Sequence, residues 1–183
     1  MNKEKTRKLN LSNIDQIICD FHKDVEHIGK SIRGKRGIQL MHSIKRDTLE
    51  HGPYPHTSLF EASNRIMSDL VILYGIEYLL RSKHFPFTEY KVEFGNENRN
   101  NFDIQALSSN ESLVGEAFNV APSFFHGKKS HALKKLKKPI ETKYRILMFN
   151  SDAVDNCYQP RHNDDRLYFV IVDIFSKEVF VTP

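Results

Sequence analysis

Apolar and polar positions alternate with two different periods along this chain, and the change of period divides it. Ile14, Ile17, Ile18, Phe21, Val25 and Ile28 recur at helical spacing, with Ser12 placed to cap the helix and Asp15 near its positive end. Gly29, Gly34 and Gly37 punctuate the next, basic stretch, so Lys30 to Arg36 is expected to be a loop. A short helix is expected from Ile38 to Leu49, stopped by Gly52, Pro53 and Pro55. Ser58-Leu59-Phe60-Glu61 then matches a capping box and opens an apolar stripe through Ile66, Leu70, Leu73 and Leu80, ending near Arg81 and before Pro86.

From Thr88 the period falls to two. Tyr90 to Phe94 alternates, Gly95 to Asn101 is a polar turn, and Phe102 to Leu107 alternates again, which predicts two antiparallel strands. Ser108 to Ser112 reads as a turn before Leu113 to Val120, a strand apolar enough to be central in a sheet. Phe124 to Lys138 is a helix with one basic side, ended by Pro139. Tyr144 to Phe149 is a strand reached across that helix, so parallel pairing with Leu113 to Val120 is expected. After a polar loop, Asn150 to Asp165, the segments Leu167 to Phe175 and Glu178 to Val181 read as a closing hairpin.

The length of 183 residues with 39% hydrophobic content suits one domain with a real core. Its expected parts are a helical, basic N-terminal segment (1–56), a core (57–150) and a C-terminal loop with hairpin (151–183). The 27 Lys and Arg outnumber 23 Asp and Glu, a net charge of +4 that fits a polyanionic partner. The distribution is more telling than the total. Six of the eleven residues from Lys128 to Lys138 are lysines, and Lys30, Arg33, Lys35 and Arg36 form a second basic group. Cys19 and Cys157 stand far apart, without disulfide or zinc spacing, which reads as a reduced, cytoplasmic chain. No apolar run is long enough for a membrane span, and the polar stretch Met1 to Lys8 lacks the apolar core of a secretory signal.

The chemistry concentrates in Asp103 and Glu116, thirteen positions apart on neighbouring predicted strands and followed by the lysine-dense helix. Paired strands would bring the two acids within reach of one Mg²⁺, which supplies what phosphodiester hydrolysis needs at neutral pH. Glu116 is the more telling of the two, because its face also carries the apolar Val114 and Phe118. Lys128 and Lys129 are placed to offset charge on the scissile phosphate, and Lys134, Lys135 and Lys138 to track a nucleic-acid backbone. Arg33, Lys35 and Arg36 are a second candidate DNA contact. Base-reading candidates lie in Arg33 to Arg36 and in Asn150 to Arg166.

Phe102-Asp103 followed by Gly115-Glu116-Ala117-Phe118-Asn119 resembles the motif core of the PD-(D/E)XK nuclease superfamily, which includes many type II restriction endonucleases. By element order the resemblance spans Ser58 to Phe149. It implies a restriction-endonuclease-like α/β fold, a mixed sheet flanked by helices, with Asp103 and Glu116 as metal-binding acids and Phe102 where the family often has proline. It also implies Mg²⁺-dependent DNA cleavage, restriction-type and homodimeric, with repair or junction cleavage or an inactive DNA-binding relative as alternatives. The family's lysine lies two positions after the second acid, where this chain has Phe118. A bulge turning Asn119 inward, a charge from Lys128 or Lys129, or an inactive site would each account for that departure. For a further acid on the first long helix, Glu61 and Glu77 are candidates, Glu61 being better explained as a capping residue.

Other chemistries fit poorly. His126 and His131 form no complete zinc set, nor do Cys157 and His162, and Asn163 after His162 resembles histidine-metal nucleases only faintly. The glycines of 29–37 do not follow a strand as a phosphate loop requires, and no serine has the flanking glycines of a nucleophile elbow.

Overall fold

The computed structural model describes residues 6–95, 100–138, 141–155, 158–160 and 164–183. Cys157, His162, Asn163 and the expected helix stop at Pro139 lie outside the described residues. The architecture is mixed α/β, a seven-stranded mixed sheet flanked by four α-helices. The strands are β1 (Thr6–Asn10), β2 (Glu89–Glu93), β3 (Ile104–Leu107), β4 (Ser112–Phe118), β5 (Tyr144–Asn150), β6 (Leu167–Val172) and β7 (Val179–Thr182). The helices are α1 (Ile14–Glu26), α2 (Gly37–Arg46), α3 (Leu59–Ser82) and α4 (Pro122–Leu136).

The strands lie in the sheet in chain order. β1 to β4 form an antiparallel meander. α4 then carries the chain to β5, which pairs parallel with β4 as the sequence predicts; β6 is also parallel and β7 closes an antiparallel hairpin. β6 stops at Val172 because the Asp173 carboxylate accepts from the backbone N–H groups of Phe175 and Ser176, bending the chain into the hairpin turn.

β1 is the one strand the pattern does not reveal. Its sequence, Thr-Arg-Lys-Leu-Asn, has one fully buried apolar side chain, Leu9. It is an edge strand whose outward lysine pairs with Glu89 on β2. Ser12 does not cap α1. Asn13 precedes the helix, the side chains of Asn10 and Ser12 bond to each other, and Asn13 accepts from the Asn10 N–H, so these polar residues build the turn from β1. A 3₁₀ turn at Ile28–Ile32 occupies part of the expected loop, and α2 ends at Arg46 because Thr48 bridges to Ser58. At Ser58 the cap is as expected: its hydroxyl accepts from the Glu61 N–H at 3.2 Å.

The sheet has two packed faces. On one, α3 buries Val71, Leu73, Ile76 and Leu79 against Leu113, Ala117, Ile146 and Met148. α3 is buried around much of its circumference through its middle, more than a single stripe, because α1 and α2 cover it on the side away from the sheet. On the other face, α4 encloses a smaller aromatic cluster of Phe118, Phe125, Phe149 and Phe169. β4 divides between the two, with Leu113 and Ala117 facing α3 and Val114 and Phe118 facing α4.

Gly115 is required by close approach. A Cβ there would lie 2.5 Å from Ile146 Cγ1 and 3.1 Å from Ile104 Cβ, both belonging to stiff β-branched residues on the neighbouring strands. Gly115→Ala is expected to cost about 1–3 kcal/mol, read as a lower urea midpoint with an unchanged slope. An unaltered midpoint would show that β3 and β5 yield freely. Among the described residues, no helix is long and apolar enough to cross a membrane.

Candidate carboxylate and lysine site

β3 and β4 pair with Ile104 opposite Gly115, and continuing that register by one residue sets Asp103 opposite Glu116. The Ala117 N–H donates to Asp103 Oδ2 at 2.9 Å, holding the first carboxylate against the second strand. β2 extends the row. Val92 pairs with Ile104, and the Glu93 N–H donates to the Asp103 carbonyl at 2.8 Å, so Glu93 on β2, Asp103 just before β3 and Glu116 on β4 stand side by side. The Glu93 carboxylate accepts from both the backbone and the side chain of Asn100.

α4 lies over this row. Glu116 is only 8% exposed, and Lys135 Nζ is 2.7 Å from its Oε1. The same ammonium stands 5.7 Å from the centre of the Phe102 ring, so the residue preceding Asp103 forms one wall of the lysine's site. Burial pushes the Glu116 carboxyl up to about 7, helped by the charge of Asp103 and opposed by Lys135. Asp103 is also raised, chiefly by burial, against the Ala117 N–H and the charges of Lys135 and Lys128. The site therefore holds two buried carboxylates, Glu116 pushed up further by the charge of Asp103 and Asp103 by that of Glu93, with Lys135 opposing both shifts.

Of the lysines expected to serve the acids, Lys128 is within electrostatic reach of Asp103, and Lys129 is turned elsewhere. Lys129 donates to the Tyr158 hydroxyl at 2.6 Å, and its ammonium lies 5.2 Å from the centre of the Phe169 ring, inside the aromatic cluster. Lys135, placed by sequence among the DNA contacts, is the lysine that meets the carboxylates. It lies two helical turns after Lys128, so both belong to one side of α4. Lys134 and Lys138 are exposed on α4 and just beyond it. Arg33 and Arg36 are exposed before α2, where Lys35 pairs with Asp47 at 2.9 Å.

Pairing of β4 with β5 runs unbroken from Leu113 to Phe118, so no bulge turns Asn119 inward. Phe118 shares the face of Glu116 but is committed to the core, stacked on Phe149 with ring centres 6.0 Å apart and edge-on to Phe125. The Asn119 N–H donates to Ser68 Oγ at 3.3 Å, tying the end of β4 to α3. Glu61 and Glu77 both pair with arginines on their own helix, Arg65 and Arg81.

Two acids escaped the sequence reading. Glu93 looked like an ordinary outward position of an alternating strand. Asp69, only 1% exposed, accepts from the Tyr54 hydroxyl and from the Gly95 N–H at 3.0 Å, and burial lifts it to about 7. Its signal was present, since it is the one acid between Ile66 and Ile76. Among the described residues, no group of three or more His, Cys, Asp and Glu side chains gathers closely enough to hold a metal ion. Comparison with protein-family models, curated proteins and solved structures finds no match.

Proposed function

We propose that this chain is a Mg²⁺-dependent DNA endonuclease of the PD-(D/E)XK kind, centred on Asp103, Glu116 and Lys135. The observation that carries the reading is Glu116: a buried acid, raised to about 7, opposite Asp103 and paired with a lysine from the helix that follows it. The element order agrees with the resemblance, since α3, the antiparallel β2 to β4, α4 and the parallel β5 come in that sequence. Two adjacent carboxylates, both raised by burial and so short of positive charge, are an all-oxygen donor set suited to a hard dication. When bound by Asp103 and Glu116, Mg²⁺ supplies charge neutralisation at the scissile phosphate and eases activation of water.

The chain's own groups do the rest. The Ala117 N–H fixes Asp103, and Lys135 opposes the rise that burial imposes on Glu116, favouring its ionised form. Lys135 brings from α4 the charge that position 118 does not offer, and Lys128 adds to it. Exposed Lys134 and Lys138, with Arg33 and Arg36, supply phosphate contacts. Cutting both strands calls for a second copy related by a twofold axis.

One observation favours a second reading, a DNA-binding protein without cleavage: Lys135 already neutralises Glu116, as in a purely structural ion pair. Incubation of the purified protein with supercoiled plasmid, with and without Mg²⁺ and over a range of salt, tests both. Nicked or linear product that requires Mg²⁺ is the expected result. Plasmid retained in a binding assay but left intact would establish the second reading.

A further inference from the structure

α2 is amphipathic, yet among the described residues nothing covers its second apolar side. Leu40 and Ile44 are half-buried and Ser43 is buried, as packing on α3 requires, whereas Ile38 is 89% and Met41 56% exposed. Ile38 and Met41 are three residues apart and so neighbours on one face. The charge around them is one-sided. Residues 30–46 contain six Lys and Arg and not one Asp or Glu.

The position of α2 relates this face to the carboxylates. Lys45 Nζ lies 3.6 Å from the centre of the Phe60 ring, at the first turn of α3. Eight residues further along α3, about 12 Å at helical rise, Ser68 Oγ accepts from the N–H of Asn119, three residues after Glu116. The basic, apolar-tipped helix therefore stands beyond the same end of β4 that carries the candidate site.

A second copy of the chain is a poor occupant, because even with Lys35 paired to Asp47 a twofold contact through α2 would set one basic flank against another. A polyanion satisfies the charge, and among polyanions a duplex also offers apolar spaces between stacked bases. Exposed Ile and Met flanked by Arg and Lys is the residue combination with which proteins pry open a base step. We propose that α2 is a DNA wedge: Ile38 and Met41 enter a base step of the duplex bound at the carboxylates, while Arg33 and Arg36 hold the adjoining phosphates. This rests on the DNA reading above, but not on cleavage.

Insertion between base pairs unwinds the helix, so the test reads linking number and needs no known target sequence. Relaxed plasmid is treated with a metal-independent type I topoisomerase in EDTA, with the full chain added, then deproteinised and resolved by gel. Wild type is expected to leave the plasmid negatively supercoiled in proportion to protein bound. Ile38→Gln/Met41→Gln, at exposed positions, is expected to abolish that change while the salt dependence of binding stays as in wild type. Arg33→Gln/Arg36→Gln is expected to flatten the slope of log affinity against log salt by about two. Binding by wild type without a change in linking number overturns the wedge. So does an apolar double variant that unwinds as wild type does, one that only turns a dimer into a monomer in sedimentation, or a wild type that binds phosphatidylserine vesicles and not plasmid. Unwinding without Mg²⁺-dependent cutting would remove the endonuclease reading and leave the wedge standing.

Discussion

Glu116→Gln is expected to lower cleavage by about 10³-fold or more with DNA affinity kept, and Lys135→Met to lower it by about 10²–10³-fold at neutral pH. The two losses should differ in their response to pH. Glu116 titrates near 7 because burial and Asp103 disfavour its charge while Lys135 favours it. The wild-type profile of kcat/KM at subsaturating Mg²⁺ should therefore rise with pH through about 7. Removal of Lys135 takes away the larger favourable influence, leaving the Asp103 N–H against burial and the Asp103 charge, so the rising limb moves to higher pH and part of the loss is recovered under alkaline conditions. Lys135→Arg, which keeps the cation, should restore the limb towards its wild-type place. Glu116→Gln has no carboxylate to ionise and should show no alkaline recovery. Lys129→Met serves as the control, because that ammonium is bonded to Tyr158 among aromatic rings and should leave the profile in place. A Lys135→Met variant with the wild-type profile would remove Lys135 from the chemistry.

The choice of lysine shows where reading the sequence stops. Alternation placed Asp103 and Glu116 on neighbouring strands, and the apolar character of β4 placed Glu116 in the interior, because both follow from a period of two and from burial. Which lysine turns towards Glu116 depends on the rotation of α4 about its axis. That rotation is set by Phe125, Ala132 and Leu136 fitting against the aromatic cluster, a tertiary fact that spacing does not contain. Six lysines in eleven residues made the helix recognisable as basic and its members interchangeable on paper. β1 was missed for a related reason: an edge strand buries one side chain and gains its place from backbone pairing with β2, which leaves almost no hydrophobic pattern. The antiparallel run from β2 to β4, the parallel crossover and the terminal hairpin were legible because turn residues and strand periods specify them locally.

Asp69 should make this protein more stable in mild acid than in mild base. In the unfolded chain its carboxyl titrates near the ordinary 3.8, whereas in the fold burial raises it to about 7, against bonds from Tyr54 and Gly95 that favour the charge. Between those values the folded state holds a proton that the unfolded state has released, so lowering the pH through this window favours folding. The gain is complete below about pH 4, is lost as pH rises through about 7, and amounts to at most about 4 kcal/mol. Glu116 acts with the same sign, being raised from 4.5 to about 7. The carboxyls that oppose them are lowered by hydrogen bonds and cations: Asp47 by the Ser43 hydroxyl and Lys35, Glu89 by Lys8, and Asp164 and Asp173 by backbone N–H groups. Their contribution disappears only in stronger acid, so the windows separate. Urea unfolding at pH 5 and pH 8 should give the higher midpoint at pH 5. Asp69→Asn keeps an acceptor for Tyr54 and Gly95 without the charge, and should raise the pH 8 midpoint towards the pH 5 one. A wild-type midpoint that rises from pH 5 to pH 8, or an Asp69→Asn variant with the full wild-type difference, would show that the buried acid is not what couples this fold to protons.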